Sequence, residues 1–312
     1  MIKWRLITSR SRPFQWPQRD AAGRRSNMIA TRLRQPTRVT LAILVILALS
    51  RVAAQAADAS SWDADSRAGM RLIAGNPAQA ADAPLRAGVE LTLAPGWKTY
   101  WRYPGDSGVP PRFDFSNSQN VKSLNIAWPA PRRFTDDSGA TIGYKNGVIF
   151  PLRIVPQDPA KPVLLRLKLD YAVCEKLCVP AEGRAELMLD GTPSAFDAAL
   201  AKADALVPKP AKPGDDAPLA VRGVRQEPGG DRPRVVVDVA APGNEPIELF
   251  AEGPTPEWAL PVPEPTDGAG AGLHRFTFQL DGLPPGASAA GATLTFTLVS
   301  GANAVEVAAH LD

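Results

Sequence analysis

The sequence predicts an all-β protein built as two antiparallel β-sandwiches. Three observations predict it. Apolar residues recur at spacing two in many short segments, Pro, Gly, Asp and Asn separate those segments, and a helical period intervenes in only one place. Side chains on a strand alternate between faces, so each segment buries one face and wets the other. Dense strands without crossover helices pair antiparallel and stack as sandwiches. The 32 prolines suit sheet edges and turns better than helix interiors.

In chain order, residues 1–56 read as a leader that ends in a cleaved signal peptide. They hold eleven of the 35 Lys and Arg and one of the 32 acids. Arg32, Arg34 and Arg38 precede the apolar run Val39 to Leu49, and small residues ending Ala54-Gln55-Ala56 follow it. Basic, apolar and small-residue parts in that order form a secretory signal, with cleavage expected after Ala56. The apolar run is about half of the ~20 residues that a membrane span needs. Met28 would be an ordinary start for such a signal. The formal charge of +3 therefore sums two unlike parts, since the remaining residues keep 24 bases and 31 acids, a net −7. An acidic mature chain removes the case for nucleic acid or an anionic membrane surface as a partner.

Residues 57–206 form the first expected domain. Its strands lie at Val89-Leu91-Leu93, Leu124-Ile126-Trp128, Val148-Phe150-Leu152-Ile154, Leu165 to Val173 and Ala185 to Leu189. Thr192-Pro193, a capping residue followed by proline in the first turn, opens an alanine-rich helix over Ser194 to Leu206. Residues 207–218 (VPKPAKPGDDAP) are charged, proline-rich and without period, as suits a semi-rigid linker. Residues 219–312 form the second expected domain, with strands at Val235-Val237-Val239, Ile247-Leu249, Leu273 to Leu280 and Leu294-Phe296-Leu298. Landmarks recur in order: Val89 to Gly96 parallels Val235 to Gly243, and Trp128 parallels Trp258. That order suggests an internal repeat, whose first copy ends in a hairpin with both cysteines. The second copy reaches Val299-Ser300-Gly301-Ala302 with none.

Residues suited to chemistry are scarce. Two cysteines, Cys174 and Cys178, are too few for a disulfide-dense scaffold or a four-cysteine zinc site, and His274 and His310 both come late. In Leu165 to Val173 the odd positions are apolar while Arg166, Lys168 and Asp170 are charged, so continued alternation puts Cys174 on the wet face. Four residues of extended strand would part the two Cα atoms by about 13 Å, beyond the ~4.4–6.8 Å that a disulfide permits. Pairing therefore needs a turn at Glu175-Lys176-Leu177, after which Pro180 should stop ladder pairing and Gly183 let the chain re-enter the sheet at Ala185.

Three readings of the pair stand. A staple across so short a loop contributes only about 2 kcal/mol. A small exposed loop suits thiol–disulfide exchange, because an incoming thiolate can reach the sulfur. Soft thiolates with His274 or His310 would select Cu(I). Gly105-Asp106-Ser107-Gly108 looks like a trypsin-type nucleophile loop, but no histidine precedes residue 274, so it reads as a turn after Pro104. Trp97, Tyr100, Trp101 and Tyr103 read partly as core. No phosphate-binding glycine loop, haem motif or other cofactor signature occurs.

Asp170-Tyr171-Ala172-Val173-Cys174-Glu175-Lys176-Leu177-Cys178-Val179-Pro180, with Gly96 to Arg102 and Gly143-Tyr144-Lys145, resembles the N-terminal periplasmic domain of the thiol:disulfide interchange protein DsbD. The likeness covers residues 62–190 and is closest to the branch with two N-terminal β domains, the suppressor-of-copper-sensitivity B proteins. It implies immunoglobulin-like domains and a protein-disulfide-reductase-like electron carrier in the periplasm without a cofactor. It further implies that Cys178 forms the mixed disulfide and Cys174 resolves it, with Tyr100 beside the pair. Thr135 to Lys145 falls where the family has a cap loop, with Ile142 or Tyr144 as its covering residue. The implied partners are a membrane-coupled thioredoxin-like or DsbD/CcdA-type electron donor and oxidised periplasmic thiol proteins. This chain departs from the family in its three-residue spacing between cysteines and in having neither later transmembrane helices nor a Cys-x-x-Cys module. The donor is thus expected to be another protein.

Overall fold

The computed structural model describes residues 57–76, 83–105, 108–136, 139–228 and 232–311, so the expected leader and signal peptide lie outside the described residues. The described chain is all-β with one helix, and its strands form four sheets stacked in two pairs. In the first pair, one sheet runs in the order β1 (Asp63–Ala64), β2 (Ala68–Ala74), β3 (Leu85–Leu93), β9 (Gly147–Pro156), β6 (Val121–Ile126). The facing sheet runs β11 (Cys178–Leu189), β10 (Val163–Cys174), β4 (Lys98–Gly105), β8 (Gly139–Lys145), β7 (Arg132–Asp136), with β5 (Arg112–Asp114) also paired to β10. In the second pair the sheets run β12 (Lys209–Ala211), β19 (Asn303–His310), β18 (Thr293–Ser300), β15 (Ile247–Glu252), and β13 (Ala220–Glu227), β14 (Arg234–Ala240), β17 (His274–Gln279), β16 (Glu264–Thr266).

The spacing-two pattern builds the cores. Val89, Leu91, Phe150, Leu152, Leu165, Leu167 and Leu169 are buried between the first two sheets, and Val235, Val237, Phe276, Phe296 and Leu298 between the second two. The suggested repeat is visible in topology. The order β2-β3-β9-β6 recurs as β13-β14-β17-β16, and β11-β10-β4 recurs as β19-β18-β15. Registers differ in detail, since Val89 lies opposite Phe150 whereas Val235 lies opposite Phe278, two residues past Phe276. The β7–β8 hairpin is present in the first copy alone and widens the cysteine-bearing sheet beyond β4.

Two expected boundaries move. Helix α1 spans Asp197–Ala205 rather than 194–206, and its N-cap is Phe196 without a side-chain cap. Thr192 lies four residues before that cap, and its hydroxyl donates to Asp190 Oδ1 at 2.7 Å. The helix docks through buried Leu200, whose methyls fill the space that a Cβ at Gly75 or Gly88 would take, at 2.6 and 2.7 Å. Asp204 on the same helix accepts from Arg86 at 2.8 Å and Arg153 at 2.6 Å. Within the expected linker, Lys209–Ala211 is strand β12, parallel to β19. An edge strand has one unpaired side, and proline fits there because it has no N–H to donate.

The two pairs of sheets share apolar contacts. Phe250, Val262, Val299 and Ala304 from the second pair join the cluster that holds Trp101, Ile142 and Tyr144. The Trp101 and Phe250 rings are 5.8 Å apart, and Tyr103 Oη donates to the Leu260 carbonyl at 2.7 Å. Arg102 lies 4.5 Å over the Trp101 ring and pairs with Glu252 at 2.6 Å and with Glu306. Arg132 pairs with Glu248 at 3.2 Å and Arg133 with Glu264 at 2.9 Å. Burial pulls the Arg102 pKa down, but the hydrogen bonds to Glu252 and Glu306 outweigh it and hold the guanidinium charged, above its ordinary value.

Candidate functional site

The site is the tip of the β10–β11 hairpin. Its ladder runs residue for residue from Val163 opposite Leu189 to Cys174 opposite Cys178, and Glu175-Lys176-Leu177 close the turn. Directly opposed residues are where side chains meet. There the two sulfurs form a disulfide of 2.04 Å with the Cα atoms 4.2 Å apart. The ladder continues through Pro180, opposite Ala172, contrary to the expected break. Strand β11 is an edge, where the missing proline N–H leaves no partner wanting. Gly183 lies inside β11 opposite Leu169, and Met70 occupies the space beside it, 2.5 Å from where a Cβ would sit.

The expectation that Cys174 faces water fails. Cys174 is 2% exposed and clusters with Ala172 and Tyr100, whereas Cys178 is exposed. Alternation does turn Cys174 away from the sandwich core, but Tyr100 of β4 covers that outer face. Lys98 is the cross-strand partner of Cys174, so Lys98, Tyr100 and Cys174 share one face of the sheet. Tyr100 Oη sits 2.7 Å from Cys174 Sγ and 2.9 Å from Cys178 Sγ. Disulfide sulfurs carry no proton, so the phenol is the donor. Lys98 is 7% exposed, and its Nζ donates to Thr141 Oγ1 at 3.0 Å.

Two neighbouring glycines shape this face. Gly143 is opposite Tyr100, and a Cβ there would lie 1.9 Å from the Thr99 carbonyl oxygen, so no side chain can stand at that position. Gly108, just past β4, lies on the Tyr100 ring, where a Cβ would meet Cδ1 at 2.6 Å and Cε1 at 2.8 Å. Gly108 thus lies over the phenol ring. Of the Gly105–Gly108 segment, Asp106 and Ser107 lie outside the described residues.

The sequence singled out Tyr100, Ile142 and Tyr144 as support, and only Tyr100 meets the sulfurs. Tyr144 is opposite Thr99 and Ile142 is two residues before it, so both have the parity of the core face. Both are buried in the core cluster, where Tyr144 packs edge-on to Phe150 and donates to the Pro129 carbonyl at 2.8 Å. Sequence reasoning missed Lys98 and Gly108. Lys98 was accessible, because it stands two residues before Tyr100 in a spacing-two segment. The return of Gly108 onto the ring leaves no local signal.

His274 and His310 are exposed on β17 and β19, in the second pair of sheets. Among the described residues no group of three or more His, Cys, Asp and Glu is placed to hold a metal ion. No helix among them is long and apolar enough to cross a membrane.

Fold and site define a class: immunoglobulin-like β-sandwiches with a disulfide at a hairpin tip, one cysteine buried and the other exposed. Residues 70–190 match the family described as thiol:disulfide interchange protein DsbD, N-terminal, and this part of the chain is a DsbD N-terminal-like domain. The fold is also that of the N-terminal periplasmic domain of ScsB from Proteus mirabilis. That structure aligns with a TM-score of 0.63 and 22% identity over 81% of this chain and 98% of the other. No curated protein matches the sequence.

Proposed function

We propose that this chain is a periplasmic thiol–disulfide exchange protein that carries reducing equivalents through Cys174 and Cys178. One observation carries the reading. Cys178 is exposed while Cys174 is buried, and the Tyr100 hydroxyl lies within hydrogen-bond reach of both sulfurs, including the one that must leave. A partner thiolate attacks Cys178 Sγ, a bond forms between those sulfurs, and the Cys174–Cys178 bond breaks with its electron pair on Cys174 Sγ. Tyr100 donates to the departing thiolate, and Lys98 places a cation on the same face. A second partner thiolate then attacks the partner's own sulfur and releases Cys178. The partner dithiol becomes a disulfide, and the Cys174/Cys178 pair gains two electrons in all. Passed to an oxidised thiol protein, the same steps run in reverse.

In this reading residues 57–206 are the exchange domain, 207–218 connect it to a cysteine-free copy at 219–312, and residues 1–56 direct export. Its partners are a membrane-coupled thioredoxin-like or DsbD/CcdA-type donor and oxidised periplasmic thiol proteins. The ScsB domain of the same fold, itself described as periplasmic, supports that location.

The test is a redox titration with trapping. Exchange predicts a reduction potential above about −300 mV, the level below which structural disulfides resist cellular thiols. It also predicts that Cys174→Ser accumulates a mixed disulfide through Cys178 in cells. A potential well below that level, with no adduct trapped, would leave the pair a staple.

A further inference from the structure

We infer that the cysteine-free pair of sheets tunes the disulfide: its grip on Trp101, Arg102 and Tyr103 fixes the Tyr100 hydroxyl against the sulfurs, with Arg102 as the positioning residue at its centre. This role rests on the exchange reading and gives the second copy a use within it. Tyr100 stands where the ladders of β4 give out. Pairing with β10 covers Lys98 and Thr99, and pairing with β8 passes from Tyr100 opposite Gly143 to Gly105 opposite Thr141 through an irregularity. A strand bends where its ladder is disrupted, so other contacts must set its direction there. The three residues after Tyr100 are each held by the second pair of sheets. The Trp101 ring lies 5.8 Å from that of Phe250, and Tyr103 Oη donates to the Leu260 carbonyl at 2.7 Å. Between them, Arg102 donates from Nε to Glu252 Oε1 at 2.8 Å and from Nη2 to Glu252 Oε2 at 2.6 Å, and it also donates to Glu306. A bidentate pair of this kind fixes orientation as well as distance. Glu252 is on β15 and Glu306 on β19, with β18 between them, so one guanidinium ties β4 across a whole sheet.

The directionality of the hydrogen bond makes this grip consequential. Tyr100 Oη lies 2.7 Å from Cys174 Sγ and 2.9 Å from Cys178 Sγ, and such contacts weaken steeply as distance and angle depart from the optimum. During exchange the phenol donates to Cys174 Sγ as the electron pair of the broken S–S bond arrives there. With the Arg102 anchor removed, β4 is held less firmly just beyond Tyr100, the donor is less well placed, and the departing thiolate is less stabilised. Charge by itself acts with the opposite sign. Neutralising Glu252 and Glu306 removes two anions, which favours a thiolate. The direction of the effect therefore separates positioning from a long-range field.

The experiment is a double-mutant cycle read by the rate of reduction with dithiothreitol and by thiolate absorbance across pH. Dithiothreitol is small, so recognition of a protein partner does not enter. The unaltered protein is compared with the paired substitution Glu252→Gln and Glu306→Gln and with Tyr103→Phe, each made with Tyr100 present and again with Tyr100→Phe. With Tyr100 present, each should slow reduction by about threefold or more and raise the pKa of the Cys174 thiol. With Tyr100→Phe the same substitutions should change the rate by less than about 1.5-fold, because the group they position is gone. Unchanged rates with Tyr100 present would overturn the positioning role, as would equal losses in both backgrounds. If circular dichroism shows the paired glutamine variant unfolded, Tyr103→Phe, which deletes one hydroxyl, decides by the same criterion. If excess dithiothreitol leaves the unaltered disulfide intact, the exchange reading itself falls.

Discussion

Removing the Tyr100 hydroxyl isolates its role from that of its ring. Tyr100→Phe keeps the contact with Gly108 and deletes the donor at 2.7 Å from Cys174 Sγ. A hydrogen bond to a charged group is worth about 1.5–3 kcal/mol, so the Cys174 thiol should become harder to ionise and reduction should slow by roughly tenfold or more. Ultraviolet thiolate absorbance across pH and stopped-flow reduction measure the two effects. This variant should slow small and protein thiols alike. Gly143→Ala tests the backbone beneath. Its methyl would meet the Thr99 carbonyl at 1.9 Å, so a loss at or above the ~1–3 kcal/mol of ordinary overpacking is expected in urea unfolding.

At the scale of elements, the helix and a charged strand pair give separate tests. Helix α1 closes the first pair of sheets through Leu200, so Leu200→Ala should cost about 2–5 kcal/mol, read from the urea midpoint at constant slope. On the second pair, Asp238 of β14 accepts from Arg275 at 2.6 Å and from Arg225 at 2.8 Å. The hydrogen bond from Arg275, with help from Arg225, holds its pKa below the usual carboxylate range. A depressed folded-state pKa adds stability that is full above the unfolded value of about 3.9 and is lost as pH falls through the folded value. Asp238→Asn should therefore lower stability at neutral pH and flatten its decline below about pH 4, measured by thermal unfolding across pH. An acid limb of unchanged slope would argue against the pair.

At the scale of the whole molecule, the shared apolar contact between the two pairs of sheets should make them unfold together. Phe250→Ala removes a fully buried ring from the cluster around Trp101, a loss of about 3–5 kcal/mol. Calorimetry should show one transition in the unaltered protein and two in Phe250→Ala, with the lower one assigned by the loss of β15 and its neighbours. The connection matters to the site because β4 carries Tyr100 on one face and Trp101 on the other, so one strand touches both the disulfide and the second pair of sheets. Export makes a further whole-chain prediction. Intact-mass measurement of protein recovered from the periplasm should find Ala57 at its N-terminus and a product of net charge −7.

Period-two patterning by itself determined which residues line the cores, because strand geometry repeats every two residues wherever the strand goes. It therefore supplied the all-β class, the buried odd positions of β10, the cysteine hairpin and the recurring strand order. Local patterning could not supply what covers a face from a distant part of the chain. Alternation assigned Cys174 to water, yet Tyr100, 74 residues away, covers it, and Gly108 packs on the ring of Tyr100. Ile142 and Tyr144 were placed at the site by segment likeness, and pairing parity turned both into the core. A proline-rich stretch read as linker became an edge strand because β19 offered it a parallel partner. Which cysteine is exposed is thus a tertiary property: two cysteines of one hairpin differ because Cys174 lies on β10 beside β4 and its Tyr100, whereas Cys178 stands on the edge strand β11.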